Sequence, residues 1–190
     1  MLKYTLILVL ALACACSGGQ SPQEPAAEHS TEAPPADEDA VMLQLSAYLL
    51  ANPQSQAEKD QNLIANYAIE KLIPLERTAS GLFYRILSPG SGDMLKWGDY
   101  ISANYKGYFL DGQVFDSSYR RNKPIEFYIG NMVQGWNEGL QMLRPGGKIL
   151  LFLPSALGYG EKGLSDGKDG YLVPPDTVLA FEVEVIEKLK

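Results

Sequence analysis

The chain has 190 residues, 46% hydrophobic and 21% charged, with 16 Lys and Arg against 23 Asp and Glu and a formal net charge of −7. An acidic chain of this length holds one ordinary domain plus appendages, and it lacks the basic surface that a nucleic-acid partner needs. Both cysteines, Cys14 and Cys16, lie in the first sixteen residues and the single histidine is His29, so the rest of the chain offers no disulfide, no thiol nucleophile, no Ser-His-Asp triad and no His- or Cys-based metal site.

Met1-Leu2-Lys3 makes a short basic start, and residues 4–13 form an uncharged, mostly apolar run. A helix of that length spans about 15 Å, half of a hydrocarbon core of about 30 Å. The run therefore reads as the centre of a signal peptide and not as a membrane span. Ala13-Cys14-Ala15-Cys16-Ser17 follows. A cysteine directly after small residues resembles a bacterial lipoprotein signal. That resemblance implies a signal over residues 1–16, lipidation of Cys16 (or alternatively Cys14), and a membrane anchor. No Asp follows either cysteine, which by the same resemblance favours an outer-membrane lipoprotein of the cell envelope, facing the periplasm. An ordinary secretory signal is the competing reading.

Residues 17–39 are rich in Pro, Ala, Glu and Ser. They have too little apolar surface to offset the entropy of ordering, so they are expected to be a disordered tether in which His29 has no role. Residues 40–75 are expected to be a helical neck. Val41, Leu45, Tyr48 and Leu49 recur at helical spacing, and Asn52-Pro53 interrupts them. Ser55-Gln56-Ala57-Glu58 has the form of a capping box and opens a second helix, which Pro74 is expected to end. Two such helices are not stable alone in water. They pack on the C-terminal domain as a spacer or docking element, or they form a client-binding or dimerisation arm, with a homodimer through residues 40–73.

From Gly81 the hydrophobic period becomes that of strands. Residues 82–87 form a first run. Residues 100–109 alternate, with Ile101, Ala103, Tyr105, Gly107 and Phe109 on one face. Asp111-Gly112 signals a hairpin, and residues 114–116 make the return strand. Residues 125–129 form a short strand, and residues 136–143 suit one short helix stopped by Pro145-Gly146-Gly147. Residues 148–153 are apolar on both faces, as in a central strand. Residues 178–189 alternate again, with Leu179, Phe181, Val183, Val185 and Leu189 inward. One short helix and several antiparallel strands make an α+β domain with the helix packed on a sheet.

An ordered series of motifs runs through these elements. Tyr105-Lys106-Gly107 precedes Asp111-Gly112, Val114-Phe115-Asp116-Ser117-Ser118 and Arg121-Asn122-Lys123-Pro124. Val133-Gln134-Gly135-Trp136-Asn137-Glu138-Gly139, Pro145-Gly146 and Tyr159-Gly160 follow. Leu172-Val173-Pro174-Pro175-Asp176-Thr177 and Leu179-Ala180-Phe181-Glu182-Val183 close it. Each motif is weak alone; the whole series in order resembles the FKBP-type prolyl isomerase family over residues 81–190. The resemblance implies a five- to six-stranded antiparallel sheet wrapped around one short helix. It also implies catalysis of cis/trans isomerisation before proline, no cofactor and no metal, and proline-containing polypeptide clients.

By resemblance, the proline ring rests on the indole of Trp136, with Tyr105, Phe115, Val133 and Phe181 as walls. The Val133 N–H binds a substrate carbonyl, and Tyr159 donates its hydroxyl from a loop above. Asp116 lies at the edge, pairs with Arg121 and orients Tyr105. Leu172 and Val173 complete the rim. Ile125 and Met132 also line the site, at positions where small cytosolic members often carry an aromatic and a Val or Ile. The connection from Gly130 to Trp136 is two residues shorter than in those members. The Gly-rich segment 161–171 is longer and is expected to be a mobile loop over the pocket. A low-turnover chaperone or client-binding lipoprotein using the same pocket is the alternative function.

Overall fold

The computed structural model describes residues 37–190. The expected signal, Cys14, Cys16, His29 and most of the expected tether lie outside them. Helix α1 covers Glu38–Ser46. It begins two residues inside the segment expected to be disordered, because the Asp37 side chain accepts from Asp39 N and Ala40 N and so caps two of its free N–H groups. Tyr48 and Leu49, read as helical, fall in the turn after it. Helix α2 covers Gln56–Glu70 and has the expected box: Ser55 accepts from Glu58 N, and Glu58 accepts from Ser55 N. It stops earlier than Pro74. Ile73 N donates to Ala68 O and Leu72 N to Ile69 O, with Leu72 left-handed at φ 52. This is the Schellman closure, made here with Leu in place of the usual Gly.

Strands β1 (Glu76–Arg77), β2 (Phe83–Ser88), β3 (Tyr100–Tyr108), β4 (Val114–Ser117) and β5 (Ile125–Tyr128) precede helix α3, Gln134–Gly139. A 3-10 turn at Leu140–Met142 extends α3, so the helix starts two residues before Trp136 and tightens at its end. Strands β6 (Lys148–Leu153), β7 (Leu164–Ser165), β8 (Tyr171–Val173) and β9 (Leu179–Lys188) complete the chain. Among the described residues, seven strands form one sheet in the order β1-β2-β6-β9-β3-β4, with β5 also pairing β3. Every pairing in it is antiparallel. Strand β6 is central, as its apolar faces require. At the Gly-rich segment 161–171, β7 and β8 pair as a second small sheet, with Leu164 opposite Val173. The Asp166 carboxylate accepts from Lys168 N and Gly170 N and closes its tip.

The pleat sorts side chains between two clusters. Ile149, Leu151 and Leu153 of β6 and Leu179, Phe181, Val183 and Val185 of β9 face α3. Phe152 and Ala180, one residue out of phase, face the neck, where Val41, Leu45, Ile64 and Ala68 meet Leu75, Phe83 and Val178. The apolar stripes of both neck helices are therefore covered by the sheet. Met42, Leu43, Leu49, Leu50 and Leu63 of the neck remain exposed. Among the described residues no helix is long and apolar enough to cross a membrane.

Candidate functional site

Helix α3 lies against β6 because two glycines face the strand. A Cβ on Gly135 would fall 2.4 Å from Leu153 Cγ, and one on Gly139 would fall 2.4 Å from Leu151 Cδ2. Their spacing of four puts both on one helix face. That contact fixes Trp136, which is 1% exposed. Three rings surround its indole: Tyr105 at 5.2 Å, Phe181 at 5.3 Å and Phe127 at 5.7 Å between centroids. Tyr105 and Phe181 meet it at 82° and 86°, the favoured edge-to-face arrangement. Phe115 stands edge-on to Phe181 at 5.6 Å. Gly107 makes room for this pair, since a Cβ there would lie 2.8 Å from both rings.

Around this aromatic group the apolar side chains are half-buried. Phe115, Ile125, Met132, Val133 and Tyr159 pack against the cluster that contains Trp136. Val173, 1% exposed and opposite Leu164, lies within the same buried cluster as Trp136 and not at an exposed rim. Leu172, its neighbour on the strand, points the other way and is 42% exposed. Of the twelve expected site residues, Tyr105 and Phe181 meet the Trp136 indole, Phe115, Ile125, Met132, Val133 and Tyr159 pack against the same buried cluster, Asp116 and Arg121 bond Tyr105, Val173 is buried within the cluster and Leu172 is exposed.

At the edge, Asp116, Arg121 and Tyr105 form a closed triangle. The Tyr105 hydroxyl donates to one oxygen of Asp116, and Arg121 donates to the other. Arg121 Nη2 also donates to the Tyr105 oxygen at 2.7 Å. Ser117 N donates to Asp116 at 2.8 Å. Burial opposes ionisation of Asp116, but the Tyr105 hydroxyl and the Arg121 guanidinium outweigh it and hold the carboxyl below its usual range. Burial, then the bond to Asp116, pushes the Tyr105 phenol up to about 12. Burial, then the charge of Asp116, raises the Tyr159 phenol. Both phenols stay protonated at neutral pH and remain hydrogen-bond donors.

The loop before α3 is clipped by Asn137, 6% exposed. Its oxygen accepts from Gly130 N (2.8 Å) and Met132 N (3.2 Å), and its amide donates to Met132 O (2.6 Å). The exposed Trp97 ring covers Gly130, leaving no space for a Cβ there. The Val133 O accepts from Trp136 N and Asn137 N, whereas the Val133 N–H has no acceptor among the described residues. Two buried side-chain polar atoms also lack partners among those residues, Trp136 Nε1 and Ser117 Oγ. Such a group costs about 1–3 kcal/mol; the indole N–H belongs to this site, and Ser117 follows Asp116 on β4. Phe127 and Asn137 were not singled out from the sequence. Phe127 read only as a strand residue, and Asn137 was one letter inside a motif quoted for its Trp.

The model of the FKBP-type peptidyl-prolyl cis-trans isomerase family matches residues 92–186, half of the chain. A probable FKBP-type peptidyl-prolyl cis-trans isomerase of Haemophilus influenzae is 42% identical over 113 residues, covering 60% of this chain and 45% of that protein. The crystal structure of FkpA from Escherichia coli is 33% identical with a TM-score of 0.59, over 79% of this chain and 63% of that one. A peptidyl-prolyl cis-trans isomerase structure from Pseudomonas syringae pv. tomato is 27% identical with a TM-score of 0.60, over 74% and 98%. The chain spans about half the length of the curated relatives it matches. Its sheet, its short helix under a ring-boxed indole and its matching sequence together make the chain a member of the FKBP-type peptidyl-prolyl cis-trans isomerase family.

Proposed function

We propose that this chain is a peptidyl-prolyl cis/trans isomerase acting on proline-containing polypeptides of the bacterial cell envelope. One observation carries the reading: a buried indole met edge-on by Tyr105 and Phe181 and at a tilt by Phe127, with a Val133 N–H on the loop beside it that has no acceptor among the described residues. Rotation about a peptide bond meets a barrier of about 18–20 kcal/mol, and the bond before proline is the one with an appreciable cis population. Halfway round, amide resonance is lost and the carbonyl oxygen carries less negative charge. Apolar surroundings disfavour this state less than the planar amide, so they lower the barrier by differential binding. About 8 kcal/mol of it corresponds to a rate gain of about 10⁶, and no nucleophile or general base is needed.

In this mechanism the proline ring lies on Trp136. The indole is 1% exposed, and the half-buried side chains packed on its cluster form the surface that the ring approaches. The Val133 N–H takes a substrate carbonyl and fixes register. Tyr159 donates from above, held protonated by burial and by the charge of Asp116. Asp116 and Arg121 hold Tyr105 upright as a wall. Phe115, Phe181, Ile125 and Met132 supply the remaining apolar surface. The turnover assay uses a proline tetrapeptide and an isomer-specific protease. Wild type is expected to accelerate the slow phase, and Asp116→Ala to lower kcat/KM about tenfold. If Asp116→Ala and Trp136→Ala both retain the wild-type rate, the site assignment is wrong. If wild type binds unfolded client but accelerates nothing, the chain is a low-turnover chaperone instead.

We also propose an envelope lipoprotein anchored through Cys16, supported by the apolar run 4–13 and the small residues around the cysteines. Radiolabelled palmitate should enter the wild-type protein and fail to enter a double Cys14→Ala, Cys16→Ala variant. Label retained in the double variant contradicts the anchor.

A further inference from the structure

One buried carboxylate takes no part in the mechanism above. Asp60, on the sheet-facing side of α2, is 0% exposed. One of its oxygens accepts from Ser155 N at 2.8 Å and from Ser155 Oγ at 2.6 Å. The other accepts from Gln56 Nε2 at 2.7 Å, and the same Gln56 amide reaches Asp176 O at 3.4 Å. A carboxylate this deep is tolerated only when its lone pairs are taken up by donors. Every donor named here lies either on α2 itself or on Ser155, ninety-five positions away in the chain.

Ser155 opens the 3-10 turn Ser155–Leu157, which delivers Tyr159. Gly158 N donates back to Ser155 O at 2.9 Å. On the other side of the ring, Asp176 N donates to Gly160 O at 2.9 Å. The backbone carrying Tyr159 is thus fastened before and after the ring, and both fastenings lead to side chains one turn apart on α2. Among the described residues no other neck side chain reaches the site by hydrogen bonds: Gln44, Gln61 and Asn62 bond Leu75 or the turn between the neck helices.

We propose that Asp60, braced by Gln56, is a positioning residue for Tyr159, so that helix α2 is a working part of the isomerase site and not only a spacer. This rests on the reading that Tyr159 contributes to turnover. A group held through two short fixed bonds keeps its geometry without spending substrate binding energy on ordering.

The test is a double-mutant cycle on the full chain, read by kcat/KM with a proline peptide, together with amide hydrogen exchange over residues 158–163. Asp60→Asn is expected to lower kcat/KM about fivefold and to raise exchange in that segment. In a Tyr159→Phe background the same substitution should change little, because the hydroxyl it positions is gone. Val41→Ala, which loosens the neck away from this turn, should lower stability and leave turnover alone. Should Asp60→Asn fail to fold, Ser155→Ala, which keeps the Ser155 N–H on Asp60, enters the same cycle. Equal losses in both backgrounds, no loss in the folded single variant, or an equal loss in Val41→Ala each overturn the proposal. Tyr159→Phe alone reads the assignment underneath. A wild-type rate there removes the role of the hydroxyl, whereas a reduced rate with equal losses in the cycle removes only the clamp.

Discussion

Strand β6 sends Leu151 and Leu153 to one face of the sheet and Phe152 to the other, and the two faces are finished in different ways. On the neck face, two helices close a cluster of aliphatic residues with Phe83 and Phe152. Among the described residues its fully buried carboxylate, Asp60, accepts three hydrogen bonds. On the α3 face, Tyr105 and Phe181 stand edge-on to Trp136, and Trp136 Nε1 lacks a partner among the described residues. Polar atoms left unsatisfied are uncommon in native interiors. The contrast lies in the polar atoms: the neck face bonds its buried carboxylate, whereas the α3 face leaves the Trp136 indole N–H without a partner among the described residues and carries the ion pair of Asp116 and Arg121 at its edge.

The largest test sets one ring from each face against the other. Phe152→Ala and Trp136→Ala should each cost about 3–5 kcal/mol, read by urea unfolding. At a temperature where both are folded, the Phe152 variant should keep kcat/KM within about twofold. The Trp136 variant should lose about 100-fold, the equivalent of roughly 2.7 kcal/mol. Similar turnover losses in the two would erase the distinction between faces. Gly139→Ala pushes α3 off Leu151 and should cost about 1–3 kcal/mol by overpacking, with turnover falling as Trp136 shifts. Ser55→Ala removes the cap of α2 and should cost about 1 kcal/mol, visible as a lower Tm.

The smallest expected effect is a flat profile. The folded carboxyl of Asp116 is held below its ordinary value, and Tyr105 titrates at about 12. A depressed carboxyl contributes stability that is present above its unfolded value of about 3.9 and is lost as pH falls through the folded one. Between about pH 5.5 and 9 neither group changes charge, so kcat/KM should stay level. A bell centred near neutrality would mean that a titrating group outside this triangle takes part.

The long alternating strands were legible because a half-buried strand writes its face into every second residue. Ile101, Ala103, Tyr105 and Gly107 of β3 are buried as read. The capping box was legible because it is a local contact. Phe115, Asp116, Arg121, Val133, Trp136 and Tyr159 came from the order of motifs, and the structure gathers them on one cluster and its edge. Strand β1 is two residues long and leaves no period to detect. The β7–β8 hairpin is closed by the side chain of Asp166 and by Leu164 over Val173, contacts that look like glycine-rich loop in one dimension. Leu172 and Val173 are adjacent and equally apolar, so only the register of β8 tells which faces inward. The apolar stripe of the neck announced that it needed a cover without saying that the cover is Phe83, Phe152 and Ala180 of its own chain.

The two tryptophans sit at opposite extremes, Trp97 at 66% exposure beside Gly130 and Trp136 at 1%. Indole emission should therefore arrive as two bands, a red one open to iodide quenching and a blue one shielded from it. A peptide that settles on the shielded ring perturbs the blue band, while motion of the Gly130 loop perturbs the red. The molecule thus carries an intrinsic pair of optical reporters, one for occupancy and one for the loop that flanks it, without a label being attached.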